Sequence, residues 1–241
     1  MSQTEFVMID EKKNYVSIVI DTSGSMGSTN PDGRTVLETV VKEGITEILE
    51  SQKEPNSDGS KNIIDIITFN ADINTIVNDI VCTENSINEI KNKLSDLNPS
   101  KTTALCSAIC QAINRLDEKT SSEDTKCIVI LTDGQENSSD SFNMPDDFSL
   151  SSKTPRQFTK ELIQEKQNNG WKIIFIGTDD LDRDTYTQQY GLIEGNTIAM
   201  NRNAQCTQSC YRAVSDSISR TQTNQVDRGF SKEERTRSTG Q

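Results

Sequence analysis

Three oxygen-bearing side chains stand at alternate positions immediately after an apolar run of the sequence. They are Asp21, Ser23 and Ser25, in the segment IDTSGSMG of residues 20–27. The two glycines and the short side chains allow the backbone to curl so that alternate oxygens point towards one cation. Taken alone, the spacing is as typical of a turn or a helix N-cap, so a cation site requires further ligands nearby.

Two further oxygen-bearing residues are candidates for the same site. Thr103 precedes a predicted helix, and Asp133 follows the apolar run CIVILT of residues 127–132. In a parallel sheet the carboxyl ends of the strands meet at one edge, where open α/β folds bind their ligands. We therefore expect Thr103 and Asp133 to lie beside the loop that contains Asp21.

Apolar runs rich in β-branched residues alternate along the chain with amphipathic stretches. The runs are typical of strands covered on both faces, and Ile73–Val81 is predicted to pair with its predecessor as an antiparallel edge strand. This alternation predicts an α/β fold with a doubly wound, mostly parallel central sheet, one antiparallel edge strand and helices on both faces. The other predicted strands are residues 15–20, 63–69, 127–131 and 171–176, and the predicted helices are residues 36–50, 86–97, 104–116, 155–167 and 203–220.

The composition narrows the chemistry that the chain can perform. It has no histidine, which excludes a Ser-His-Asp triad, a Cys-His nucleophile pair, a His-containing zinc site and a phosphohistidine relay. A net charge of -12 disfavours binding to nucleic acid or to anionic membranes. Six cysteines, an N-terminus without the apolar core of a signal peptide, and no run of about 18 apolar residues predict a reduced, cytoplasmic protein.

These motifs together resemble the von Willebrand factor type A family and its metal-ion-dependent adhesion site. The resemblance covers residues 15–220 and implies a Rossmann-like fold. Three segments carry it: IVIDTSGSM of residues 18–26 looks like the family's first loop, TALCSAI of residues 103–109 like its threonine loop, and IVILTDG of residues 128–134 like its aspartate loop.

The resemblance implies a set of ligands for a divalent cation. Ser23, Ser25 and Thr103 would bind through their hydroxyl groups, and Asp21 and Asp133 directly or through water. The spacing to the following helix favours Thr103 over its neighbouring threonine, although serine and lysine replace the glycines that usually precede it. Oxygen donors suit Mg²⁺, with Mn²⁺ or Ca²⁺ as alternatives, and argue against zinc and copper.

The ligand set also implies a kind of partner. Two carboxylates at most balance the charge of the cation, so an open coordination position would attract a further carboxylate. We expect a protein partner that supplies Asp or Glu, and an interaction domain rather than an enzyme. The loop after Asp133 would form the rim of this surface, with Gln135 and Glu136 beside the cation and Met144 and Phe148 as apolar contacts. An ordinary surface insertion explains the loop nearly as well.

We divide the chain into three parts. Residues 1–13 are an N-terminal extension, residues 14–220 form the domain, and residues 221–241 form a polar tail. The tail contains a single internal aromatic residue, Phe230, and is predicted to be flexible.

Other functions compete with this interpretation. A Mg²⁺-dependent phosphohydrolase would use Asp21 as its nucleophile, but Ser23 stands where a second aspartate would act as acid and base. A regulatory subunit of an ATPase or chelatase complex is a subtype of the binding hypothesis. A zinc site is a further alternative, although the spacing of its four candidate thiols favours packing roles: Cys106, Cys110, Cys206 and Cys210.

Overall fold

The computed structural model describes residues 11–54, 56, 58–134, 136–138, 144–178, 183–223, 225 and 229–240. In this part of the chain six strands form one sheet: β1 (Lys13–Asp21), β2 (Lys61–Phe69), β3 (Ile73–Val81), β4 (Thr125–Thr132), β5 (Lys172–Thr178) and β6 (Thr197–Met200). Their order across the sheet is β3-β2-β1-β4-β5-β6. All neighbours pair in parallel except β2 and β3. The predicted antiparallel edge strand is thereby confirmed.

Helices cover both faces of the sheet, as the amphipathic stretches predict. One face packs against α1 (Val36–Thr39), α2 (Thr46–Gln52), α3 (Glu84–Ser95) and α7 (Ala204–Gln222). The other packs against α4 (Leu105–Lys119), α5 (Pro155–Asn168) and α6 (Arg183–Tyr190). Each face has its own apolar core, which explains why the central strands are apolar at consecutive positions.

The helix predicted over residues 36–50 is interrupted in its middle. Val40–Ile45 forms a π-helical segment between α1 and α2. Within it, Gly44 lies directly against the ring of Tyr211 on α7. A glycine at this position lets the two helices approach more closely than any side chain would allow.

Replacing Gly44 by alanine is expected to destabilise the fold. The added Cβ would overlap the Tyr211 ring, which is fully buried, so the packing between the two helices would have to shift. Overpacking of this kind lowers the free energy of unfolding by about 1 to 3 kcal/mol. Thermal unfolding of the variant checks this, with the same change in a Tyr211→Ala background as control. If Gly44→Ala is as destabilising there as in the natural chain, the ring is not the cause.

The sequence pattern did not predict two elements on one side of the sheet. The helix α6 has the sequence RDTYTQQY, whose apolar character comes from two tyrosines, and β6 has only four residues. Neither shows the repeated apolar spacing on which the other elements were predicted.

The C-terminal region differs from the flexible tail that we expected. A further helix, α8 (Lys232–Thr239), packs against α7 and β6. Phe230 is 3% exposed and its N–H donates to the carbonyl of Gly195 at 2.7 Å, and the N–H of Asn201 donates to Ser238 O at 2.9 Å. One buried aromatic and a few backbone hydrogen bonds therefore fix a segment whose composition is otherwise that of a solvated tail.

Two further expectations concern membrane-spanning segments and the state of the cysteines. Among the residues that the structure describes, no helix is long and apolar enough to cross a membrane. All six cysteines are free and buried. Cys106 and Cys110 lie in one core and Cys210 in the other, so the sheet separates the two cysteine pairs that a zinc site would have to join.

Candidate metal site

The first loop and the threonine loop are tied together at the carboxyl edge of the sheet. The N–H of Gly24 donates to Lys101 O at 3.1 Å, and the N–H of Ser100 donates to Thr22 O at 2.9 Å. Lys101 has a positive φ of 65°, an uncommon conformation for a residue with a side chain. These bonds hold the threonine loop against the end of β1 although serine and lysine replace the family's usual glycines.

The threonine loop is also tied to the segment that follows β4. The N–H of Asn137 donates to Thr103 O at 3.1 Å, and the N–H of Thr103 donates to Asn137 Oδ1 at 2.8 Å. Thr103 is 3% exposed, whereas Thr102 is exposed to solvent. This placement agrees with the spacing argument that favoured Thr103 as the inward-facing threonine.

The predicted side chains of the first and aspartate loops form one hydrogen-bonded group. Ser25 Oγ donates to Asp133 Oδ1 at 2.7 Å, and the hydroxyl oxygens of Ser23 and Ser25 are 3.1 Å apart. Asp21 Oδ1 accepts from the N–H of Ser23 at 2.7 Å, and Asp21 Oδ2 accepts from Thr132 Oγ1 at 2.6 Å. Both oxygens of Asp21 are therefore fixed in direction.

Gly134 leaves a space that three of these side chains surround. A Cβ built on Gly134 would lie 3.3 Å from Thr103 Oγ1, 3.5 Å from Ser25 Oγ and 3.8 Å from Asp21 Oδ2. Because glycine has no side chain, the space between those oxygens stays open. The structure thus brings together all five predicted ligands: Asp21, Ser23, Ser25, Thr103 and Asp133.

Burial has the largest effect on the pKa of Asp21. The side chain is 0% exposed, and desolvation raises its pKa from 3.8 to about 6, while hydrogen bonds from Thr132 and Ser23 lower it. The charge of Asp133 adds a smaller upward effect. A cation beside the two carboxylates would relieve both the desolvation and the repulsion.

The donor set fits a hard divalent cation. It consists of two carboxylates and three hydroxyls, the oxygen ligands that Mg²⁺ and Ca²⁺ prefer. In the described part of the chain, no group of three or more His, Cys, Asp or Glu side chains could hold a metal. The hydroxyl-rich set differs from such a group, because only Asp21 and Asp133 carry charge.

The predicted rim residues are less suited to contact a partner protein than we expected. Gln135 lies outside the described residues. Glu136 is half-buried, and its carboxylate accepts from the backbone N–H of Cys106 at 2.6 Å and of Ser138 at 2.9 Å, so it caps the start of α4. Met144 and Phe148 are 7% and 8% exposed and belong to the core on the α4 face, so in this structure they are packed inside the domain.

Two residues that support the site were missed at the sequence level. Thr132, at the end of β4, hydrogen-bonds both to Asp21 and to Gly134. The hydroxyl of Tyr186 on α6 donates to Gly134 O at 3.1 Å, and burial raises the pKa of Tyr186 to about 12, which keeps that proton in place. Thr132 could have been found from its place before Asp133, whereas Tyr186 lies on a helix without a sequence signal.

Comparisons with known proteins identify a related family. A family model described as "von Willebrand factor type A domain" matches residues 16–135, which contain all five predicted ligands. No curated protein sequence matches the chain significantly.

Solved structures share the fold at low sequence identity. A von Willebrand factor type A protein from Catenulispora acidiphila superposes with a TM-score of 0.63 at 15% identity, covering 86% of this chain and 43% of that one. The vWF domain of the type V pili tip protein Mfa5 from Porphyromonas gingivalis gives 0.59 at 14% identity, covering 92% and 99%. Proximal thread matrix protein 1 from the mussel byssus, with a zinc-occupied MIDAS motif, gives 0.56 at 16% identity, covering 87% and 46%. The chain thus spans less than half of the first and third of these proteins.

Proposed function

Because residues 16–135 belong to the von Willebrand factor type A domain family, we propose that this protein binds a divalent cation and uses it to bind a partner protein. Domains of this family are commonly protein-interaction modules. The proposed ligands are Asp21, Ser23, Ser25, Thr103 and Asp133. Mg²⁺ is the proposed cation, because every donor is an oxygen.

The open space at Gly134 carries this proposal. Oxygens of the first loop and the threonine loop face it at 3.3 to 3.8 Å from the point where a Cβ would lie. A methyl group at this position would lie 3.3 Å from Thr103 Oγ1, which is closer than an ordinary van der Waals contact. Glycine therefore keeps these oxygens accessible to a cation or to its bound water.

The proposed partner group is a carboxylate. A bound cation would supply a centre of positive charge with a free coordination position on a chain whose net charge is -12. Within the site, Asp21 and Asp133 provide two negative charges, and the hydroxyls of Ser23, Ser25 and Thr103 provide none. An Asp or Glu of the partner would complete the coordination.

The arrangement of Asp21 disfavours the phosphohydrolase alternative. A nucleophilic carboxylate needs one oxygen free to attack, but Asp21 accepts hydrogen bonds on both of its oxygens and is fully buried. Ser23 occupies the place of the second aspartate and cannot act as an acid near neutral pH. We therefore propose no catalytic residue.

Calorimetric titration of the protein with Mg²⁺, Mn²⁺ and Zn²⁺ tests the proposal. We expect one site per chain, and retention of a partner from cell extract only without chelator. Zn²⁺ is included because the mussel protein carries it in its MIDAS motif. No heat of binding with any of these ions would contradict the proposed function.

The affinity for the cation should fall with decreasing pH. Asp21 has a pKa of about 6 in the metal-free protein, so below that pH the proton competes with the cation. From this group alone, the association constant should drop about tenfold from pH 7 to pH 5 and stay nearly constant from pH 7 to pH 8. Titrations at these three pH values check the prediction, and an affinity that does not change down to pH 5 would contradict it.

A further inference from the structure

A groove runs along the protein surface between α1, the π-helical segment and α3. Its volume is about 640 Å³, within the range of ligand-binding clefts. Its apolar lining comes from Leu37 and Val41 on one side and from Leu94, Leu97 and Pro99 on the other. Val41, Leu97 and Pro99 are only partly buried, so apolar surface remains open to solvent along the groove.

One end of the groove adjoins the candidate metal site. Pro99, which lines the groove, lies 3.4 Å from the point where a Cβ on Gly27 would be, and Gly27 ends the short helix after Ser23. The next residue, Ser100, donates its N–H to Thr22 O, within the first loop. The groove therefore begins beside the first loop, which contains three of the candidate ligands.

The other end of the groove contains two lysines. Lys42 and Lys91 line it together with Glu38, and Lys91 is paired with the carboxylate of Glu50 at 3.1 Å. Glu38 is engaged in the capping box of α1, where it accepts from Thr35 N and Oγ1 at 2.8 and 3.2 Å. Among the described residues no carboxylate is within ion-pair distance of Lys42, whose side chain is exposed. On a chain of net charge -12, Lys42 is the lysine of this groove that is available to an acidic group of a partner.

We propose that this groove binds a partner segment that has an acidic residue at the cation, an apolar stretch in the groove, and a second acidic residue at Lys42. Thr35 and Lys42 are seven residues apart, which corresponds to about 10 Å along a helix. An extended partner covers about 10 Å with three residues, so at least three residues would separate its two carboxylates. This proposal rests on the proposed function, because the first carboxylate is the one that the cation would bind.

A fluorescein-labelled peptide of sequence Asp-Leu-Leu-Gly-Leu-Glu tests the groove. Its fluorescence anisotropy is titrated with the full chain in Mg²⁺ and in EDTA. We expect binding in Mg²⁺ that is weakened at least about fivefold by Val41→Asp and by Lys42→Glu. The matched control is Ile193→Asp, at an exposed apolar residue that does not line the groove, and it should bind as the natural chain does. Lys42→Glu changes an exposed side chain, so it stays informative if Val41→Asp does not fold.

Mg²⁺ calorimetry on the same proteins separates the two proposals. If the natural chain binds Mg²⁺ but the peptide does not bind, or binds equally to all variants, the groove proposal is overturned and the metal site stands. If Mg²⁺ does not bind to the natural chain, the proposed function fails. The groove would still be supported if the peptide binds in EDTA and if Val41→Asp and Lys42→Glu weaken that binding. Sedimentation velocity tests whether a second copy of the chain occupies the groove. If the natural chain forms a dimer and Val41→Asp dissociates it, the groove is a dimer interface and the proposal is overturned.

Discussion

The Gly134→Ala variant is expected to lose most of its affinity for the divalent cation while it keeps its fold. The new Cβ would lie 3.3 Å from Thr103 Oγ1 and 3.5 Å from Ser25 Oγ, within the space that we assign to the cation and its ligands. Changes next to a metal's ligands typically cost 10- to 100-fold in affinity, so we expect a loss of at least about tenfold. Calorimetric titration with Mg²⁺ measures it.

Gly27→Ala is the matched control for that variant. Gly27 belongs to the same first loop, but a Cβ there would meet only Pro99, at ordinary contact distances of 3.4 and 3.6 Å. Its Mg²⁺ affinity should stay within about twofold of the natural chain. If Gly134→Ala binds Mg²⁺ as tightly as Gly27→Ala does, the space at Gly134 is not where the cation lies.

The second large effect is expected from Asp133→Ala. Asp133 is 8% exposed, accepts from Ser25 Oγ, and is one of only two carboxylates in the candidate site. Its loss removes half of the negative charge that would balance the cation, and Mg²⁺ affinity should fall by more than about 100-fold. The metal-free fold should be kept, because the variant also removes a carboxylate whose charge raises the pKa of Asp21.

Asp216→Ala controls for the loss of one negative charge. Asp216 is exposed on α7 and does not belong to the candidate site. Mg²⁺ calorimetry and thermal unfolding should show this variant to be like the natural chain. Equal weakening in Asp133→Ala and Asp216→Ala would mean that the overall charge of the chain, and not a ligand at Asp133, governs binding.

The sequence predicts the sheet and the candidate ligands well for a physical reason. Central parallel strands are buried on both faces, so they are apolar throughout, and the residue after each strand lies at a defined edge. Asp21 ends β1 and Asp133 directly follows β4, and β1 pairs with β4 in the sheet. Their closeness follows from this pairing of β1 with β4.

The parts that the sequence did not predict depend on contacts between distant residues. Met144 and Phe148 lie in a stretch without periodicity, and only the core formed by α4 and α5 shows that they are buried. Tyr186 reaches Gly134 from a polar helix 52 residues away in sequence. Phe230 makes the C-terminal region part of the domain, although the composition around it is typical of a flexible segment.

Diffraction from crystals grown with Mn²⁺ tests the central claim most directly, because the anomalous signal locates the ion itself. We predict a single strong anomalous peak at about 2.0 to 2.3 Å from the hydroxyl oxygens of Ser23 and Ser25, with Asp133 and Thr103 beside it. The peak should be absent from crystals of Asp133→Ala. A map without a peak among these side chains, from a protein saturated with Mn²⁺, would contradict the account.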